Sequence, residues 1–205
     1  MSTAMFKRKL DAEDLRRMNL PEEFWRTRVD QAPEAVRPAV ARYLRRIDQM
    51  AQQGVGLFVT GKSGVGKSAI AALVVKEARS RGYTAYYTSF WELREMVRSK
   101  IMFDDETSML GRCQRVDVLV LDGMREEDAQ EKWFGLKEAA ELVRYRGNKH
   151  LVTLITTQLG FKELKRFPFR SLLDASQGHL VQFPVEGPNR HEQRQNNLRR
   201  AVFGD

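Results

Sequence analysis

Two periods of apolar residues alternate along this chain, and between them they lay out its elements. Leu57-Phe58-Val59-Thr60 is a short apolar run with the length of a buried strand. Residues 67–81 follow with Ile70, Leu73, Val74 and Ala78 at helical spacing, and Gly82 supplies the stop. Upstream, Val40, Tyr43, Leu44, Ile47 and Met50 repeat helically between Pro38, suited to a first turn, and Gly54. One helix over 38–53 is therefore expected. Residues 83–89, rich in Thr and Tyr, read as a strand. Residues 90–100 return to helical periodicity, with Trp91, Leu93, Met96 and Val97 apolar and Arg94, Arg98 and Lys100 basic. The stretch 102–111 is irregular, an acidic turn and a small apolar patch. Residues 116–121 form the strongest strand pattern and end on Asp122. A helix is expected from about 129 to 146, with Trp133, Leu136, Ala140 and Val143 on one face and Gly147-Asn148 as the break. Residues 151–156 and 179–183 complete a set of five strands. Strands alternating with helices predict an α/β domain, a mostly parallel five-stranded sheet flanked by helices on both faces.

Residues 1–16 are polar and weakly patterned, so they are expected to be an N-terminal arm, either disordered or a short helix docking on a partner. Residues 17–205 form the domain. Pro21-Glu22-Glu23-Phe24-Trp25 places two adjacent aromatics just after a proline, either as core anchors or as an apolar wall for a flat ligand.

Charge narrows the choice of partners. The 205 residues carry 35 Lys and Arg against 27 Asp and Glu, a net charge of +8, which favours an anionic partner such as nucleic acid. Cys113 is the single cysteine, which excludes an internal disulfide and a cysteine-based zinc site, and the three histidines lie far apart in sequence. No apolar run approaches membrane-spanning length and the N-terminus is too charged for a signal peptide, so a cytoplasmic protein without a membrane partner is expected.

The chemistry is concentrated between the first strand and the helix after it. Gly61-Lys62-Ser63-Gly64-Val65-Gly66-Lys67-Ser68 fits the phosphate-loop pattern G-x-x-x-x-G-K-[ST] at every fixed position. Its glycines let successive backbone N–H groups point inward around a polyphosphate. Lys67 would reach the β- and γ-phosphates and the Ser68 hydroxyl would ligate Mg²⁺, with the helix N-terminus adding its positive end. A strand closing on Asp122 supplies the complementary carboxylate facing the metal. The cofactors implied are ATP and Mg²⁺.

The run Leu154-Ile155-Thr156-Thr157-Gln158-Leu159 resembles the sensor-1 segment of AAA+ ATPases, in particular the DnaC-type helicase loaders and the related IstB-type transposition ATPases. Other stretches are similar too: the Pro-aromatic segment at 20–25, a helix ending in arginine before sensor 1 (Arg144 and Arg146), and Phe169-Arg170-Ser171-Leu172-Leu173 as a late arginine box. The resemblance covers about residues 18–192. It implies a P-loop fold of AAA+ type in which Gly61–Ser68 and Asp122 hold Mg·ATP and Gln158 stands near the γ-phosphate. It further implies that Arg170 reaches a neighbouring subunit's ATP as an arginine finger, that Arg190 contacts nucleotide, and that the working unit is a homo-oligomer. Arg94, Arg98 and Lys100 correspond to a region that touches single-stranded DNA, with stacking on Phe90 or Trp91. The function implied is a helicase loader delivering a replicative hexameric DNA helicase onto single-stranded DNA, with residues 1–16 as the helicase contact. A transposition ATPase and an ATP-binding scaffold with little hydrolysis are the alternatives. Three departures stand out. Gly123 occupies the place of a second acidic residue after Asp122, Gln158 replaces the usual Asn, and the chain stops too soon after the fifth strand for a full helical lid domain.

Overall fold

The computed structural model describes residues 7–98, 109–125, 134–166 and 168–203. Its strands are β1 (Gly56–Thr60), β2 (Ala85–Ser89), β3 (Val118–Met124), β4 (Val152–Thr157) and β5 (Leu180–Pro184), in the spatial order β2-β3-β4-β1-β5. All the pairings are parallel. Parallel neighbours need crossover connections, and the helices provide them.

Alternation along the strands divides the interior into two halves. Leu57 and Val59, Val118 and Val120, Val152 and Leu154, and Ala85 and Tyr87 face one helical layer: α2 (Arg37–Arg45), α3 (Ile47–Gln53) and α4 (Lys67–Ser80). Phe58, Leu119, Leu121, Ile155 and Tyr86 face the other layer. It is built from α5 (Phe90–Arg98), α6 (Met109–Arg115), α7 (Phe134–Asn148), the short α8 (Phe161–Leu164) and α9 (Arg170–Ser176). The remaining helices are α1 (Ala12–Arg17) at the start and α10 (Arg190–Phe203) at the end. Among the described residues no helix is long and apolar enough to cross a membrane.

Four departures from the sequence reading have physical causes or consequences. The expected helix over 38–53 is two helices, because Arg46 (φ −99°, ψ 17°) turns the chain and brings Ile47 to zero exposure. The helix Met109–Arg115, which buries Cys113, takes in residues 109–111 of the stretch expected to be irregular; residues 102–108 of that stretch lie outside the described residues. The helix expected to break at Gly147-Asn148 runs through both, because Gly147 leaves room for His179, which a Cβ would meet at 2.3 Å. The strand expected to end at Asp122 continues to Met124, so the carboxylate lies within a strand.

A buried cation and a half-buried one collect backbone carbonyls at two places that set the frame. Arg146, fully buried at the end of α7, donates to the carbonyls of Cys113 (2.7 Å), Val116 (2.8 Å) and Val152 (2.6 Å) and to Thr153 Oγ1 (2.9 Å). It therefore ties α6, the segment leading into β3, and β4 to one planar group. Burial pushes its guanidinium down to about 10. Lys76 on α4 donates to the carbonyls of Trp25 (3.0 Å) and Thr27 (2.6 Å), fixing the aromatic segment over the helix. Ahead of that segment the Met18 carbonyl accepts from Tyr87 N–H at 2.8 Å and Asn19 Nδ2 donates to the Tyr87 carbonyl at 3.0 Å, which covers the outer edge of β2. Asp14 of α1 is buried between Arg8 and Arg79, so residues 7–17 lie on α4 of their own chain. The Arg8 guanidinium holds the Asp14 carboxyl down at about 2, against the burial that would raise it.

Arg146→Met should cost at least about 3 kcal/mol in equilibrium urea unfolding, because three or more buried carbonyls lose their donor at once. Arg144, exposed on the same helix, is the control: its replacement by Ala should stay within about 0.5 kcal/mol. Equal midpoints for the two variants would mean that Arg146 is not what satisfies those carbonyls.

Candidate functional site

The chain leaves β1 through the phosphate loop and enters α4 at Lys67, with Gly66 as N-cap at φ +101°. A side chain resists that left-handed geometry, which explains the glycine. Lys67 is 9% exposed, and its ammonium folds back onto the carbonyls of Gly61 (2.8 Å) and Lys62 (2.7 Å). Burial lowers its proton affinity, and Asp122 across the cleft works against that shift. The loop is braced from behind by α10: Arg190 N–H donates to the Gly64 carbonyl at 3.0 Å, and the Arg190 guanidinium donates to the Gln31 carbonyl.

Asp122 sits opposite the loop at a β-bulge. The β3–β4 register runs Leu121↔Ile155 and then Met124↔Thr157, so Asp122 and Gly123 together face Thr156. Gly123 takes up the extra residue at φ +79°, and its N–H donates to Thr156 Oγ1 at 2.9 Å. The Thr156 hydroxyl in turn donates to Asp122 Oδ1 at 2.5 Å. The bulge frees the carboxylate from the ladder and a threonine fixes its direction. Beside it lies Tyr87, 3% exposed, whose hydroxyl neighbours Asp122 and Ser68 without reaching either in hydrogen-bonding geometry.

These groups line one cleft of about 1170 Å³, at the carboxyl ends of the strands where open α/β sheets take their ligands. Lys67, Ser68, Asp122, Gln158 and Arg190 line it together, alongside Ser63, Gly64 and Gly66 of the loop. Gly61, Lys62 and Val65 form the loop's other wall, bordering a smaller hollow with Val185 and Gly187. Phe24 and Trp25 both pack on the core and both line the cleft. Arg170 stays outside the cleft of its own chain; its side chain is 71% exposed and lies 3.6 Å from Asp174. On α5, Arg94 is only 16% exposed and lies 3.6 Å from Glu95, so it presents little surface to a DNA phosphate. The Arg98 side chain and all of Lys100 lie outside the described residues, as do the acidic residues 126–128. Of the two aromatics considered for stacking, Phe90 is buried at 2% and Trp91 is 59% exposed at the cleft mouth. Sequence reasoning missed Thr156, Tyr87 and Lys76. Parity would have found the first two: Thr156 is in phase with Val152 and Leu154, Tyr87 with Ala85, and both sets face α4, as does Asp122 two residues after Val120.

No family model matches the sequence, and no curated protein matches it. Solved structures match its shape. The crystal structure of the DnaC helicase loader superposes with a TM-score of 0.67 at 17% identity, over 81% of this chain and 100% of that one. DnaI gives 0.66 at 21% identity, over 83% and 94%. AMPPCP-bound DnaA from Aquifex aeolicus gives 0.61 at 15% identity, over 85% of this chain and 55% of that one. A parallel five-stranded sheet, a phosphate loop opening onto α4, and an aspartate facing that loop make this chain a P-loop protein with the AAA+ fold of the DnaC helicase loader, DnaI and DnaA.

Proposed function

We propose that the chain is an ATP-dependent helicase loader, which binds Mg·ATP in this cleft, oligomerises, and delivers a replicative DNA helicase onto single-stranded DNA. The observation that carries the reading is the pairing of a complete phosphate-loop and aspartate cleft with a fold matching the whole of the DnaC helicase loader structure. The donor set fits the ligand: Lys67 is desolvated and satisfied by loop carbonyls that a phosphate can replace, and Ser68 and Asp122 are oxygen donors of the kind a hard divalent cation takes. When bound, Mg²⁺ supplies charge neutralisation at the phosphate oxygens. Thr156 keeps the Asp122 carboxylate aimed at the cleft, and Gln158 and Arg190, which line it, would contact the triphosphate. Arg170, exposed and outside its own cleft, serves the adjacent subunit's site. Trp91 is the exposed surface for a DNA base, and the arm, carried on α4 by Asp14, is the helicase contact.

A specific observation favours slow turnover, close to an ATP-binding scaffold. Gly123 is needed for the bulge that aims Asp122, so the residue after the aspartate carries no carboxylate to polarise water. Among the described residues its Cβ direction is open, with nothing within 4 Å.

Lys67→Ala should weaken ATP binding at least tenfold, by loss of a charge-assisted contact of about 1.5–3 kcal/mol, with little change in melting temperature. Calorimetric titration beside a melting curve checks both, and retained ATP affinity would overturn the site assignment. Arg170→Ala should bind ATP as wild type yet hydrolyse it at least tenfold more slowly. Mixing it with Lys67→Ala subunits should restore part of the rate, because an intact cleft then meets an intact finger; no recovery at any ratio would exclude action in trans. Gly123→Ala and Gly123→Glu should each lose about 1–2 kcal/mol, the cost of a side chain at positive φ. Their stabilities should agree because the Cβ direction is empty, so any gain in hydrolysis by the Glu variant over the Ala variant measures the carboxylate alone. A Glu variant much less stable than the Ala variant would contradict the open geometry.

A further inference from the structure

Tyr87 buries a polar atom with nothing to bond. Its residue is 3% exposed, its ring stands 6.2 Å from the Phe24 ring, and among the described residues its hydroxyl, though beside Asp122 and Ser68, meets no partner in hydrogen-bonding geometry. A buried tyrosine hydroxyl ordinarily finds a partner, and leaving one without is costly enough to need a reason. The hydroxyl is aimed at the interval between the Ser68 hydroxyl and the Asp122 carboxylate, and it lines the cleft with them. It cannot swing away. The Tyr87 N–H is held by the Met18 carbonyl, its own carbonyl by Asn19 Nδ2, and its ring by Phe24.

We propose that Tyr87 is a ligand-reading residue of this cleft, whose hydroxyl donates a hydrogen bond to an oxygen held between Ser68 and Asp122. That oxygen is a water on the divalent cation or the terminal phosphate itself; the chemistry shared by both is a strongly polarised or anionic oxygen acceptor. The inference rests on the reading of the cleft as a Mg·ATP site and adds a residue to it. A phenol hydroxyl carries its proton at neutral pH and can donate it to such an acceptor. Tyr87 is a positioning residue, satisfied only when the cleft is filled.

The test is Tyr87→Phe, which keeps the ring and removes the oxygen. In the ligand-free protein the variant should melt at the wild-type temperature or above it, since an unsatisfied group has been deleted. A clearly lower melting temperature would show that the hydroxyl is already satisfied in the free protein, and would overturn the proposal. Affinities are then measured by titration in four arms: Mg·ATP, Mg·ADP, and each nucleotide with EDTA. A loss of about tenfold or more confined to the two magnesium arms identifies the cation's water as the acceptor, the scale being that of a hydrogen bond to a charged group. A loss confined to the two ATP arms identifies the terminal phosphate. No loss in any arm, or the same loss in all four, overturns the proposal. Wild type is the internal control: failure of the wild-type protein to bind in any arm would remove the Mg·ATP reading itself, an outcome separate from any difference between tyrosine and phenylalanine.

Discussion

A strand buried on both faces has no spare backbone group, yet this site needs such a strand to deliver a carboxylate into an open cleft. The bulge at Asp122–Gly123 resolves the conflict. One extra residue interrupts the β3–β4 ladder, Gly123 accepts the positive φ that this demands, and Thr156 Oγ1 accepts the stranded N–H while its own hydroxyl donates a hydrogen bond to Asp122. Direction is thus imposed on the carboxylate by a hydroxyl rather than by a neighbouring charge, and the aspartate remains free to meet a cation. The position after Asp122 then needs glycine for a backbone reason. Chemistry that other sequences place on that residue must come from elsewhere, or be slow.

Cations held by carbonyls form the framework around this site. Arg146 and Lys76 are each satisfied mainly by backbone oxygens, and each joins segments distant in sequence. Such a group satisfies several acceptors at once, where an ion pair would bury a second charge with its own desolvation cost. Arg146 fixes β3 against β4, hence Asp122 against Thr156. Lys76 fixes the Phe24–Trp25 segment against α4, hence one wall of the cleft. Lys67 uses the same bonding with a different consequence. Its two carbonyls belong to the loop that encloses the cleft, so its resting contacts lie where an anionic oxygen would compete for the ammonium.

Much of this was legible in the sequence because strong local signals coincide with the fold. The five strands, the helix after the phosphate loop and the site pair Lys67 and Asp122 each follow from an apolar run or a fixed spacing. What was not legible depends on contacts between distant segments. The Gly147-Asn148 stop is overridden because Gly147 leaves space for His179, and the split at Arg46 reflects packing of Ile47 rather than any breaker residue. Arg146 read as one of two equivalent arginines at a helix end; only tertiary contact separates it from exposed Arg144. Gln158 drew attention as the polar residue following β4, while Thr156, two residues earlier and masked by its β-propensity, makes the hydrogen bond to Asp122. Arg94 is the opposite case, since helical spacing beside Arg98 suggested a surface role for a side chain that is only 16% exposed.

The edge of the sheet gives the site its connection to the rest of the chain. β2 would expose unpaired backbone at the sheet margin, and the Met18–Asn19 segment covers it through the two backbone groups of Tyr87. The N-terminal segment is held a second time through Asp14 on Arg79 of α4, the helix whose first residue is Lys67. Both attachments lead back to the cleft, one through the Tyr87 side chain beside Asp122 and one along α4 to the phosphate loop. Residues 7–25 are therefore attached to β2 and α4, the two elements that carry Tyr87 and Lys67 to the cleft.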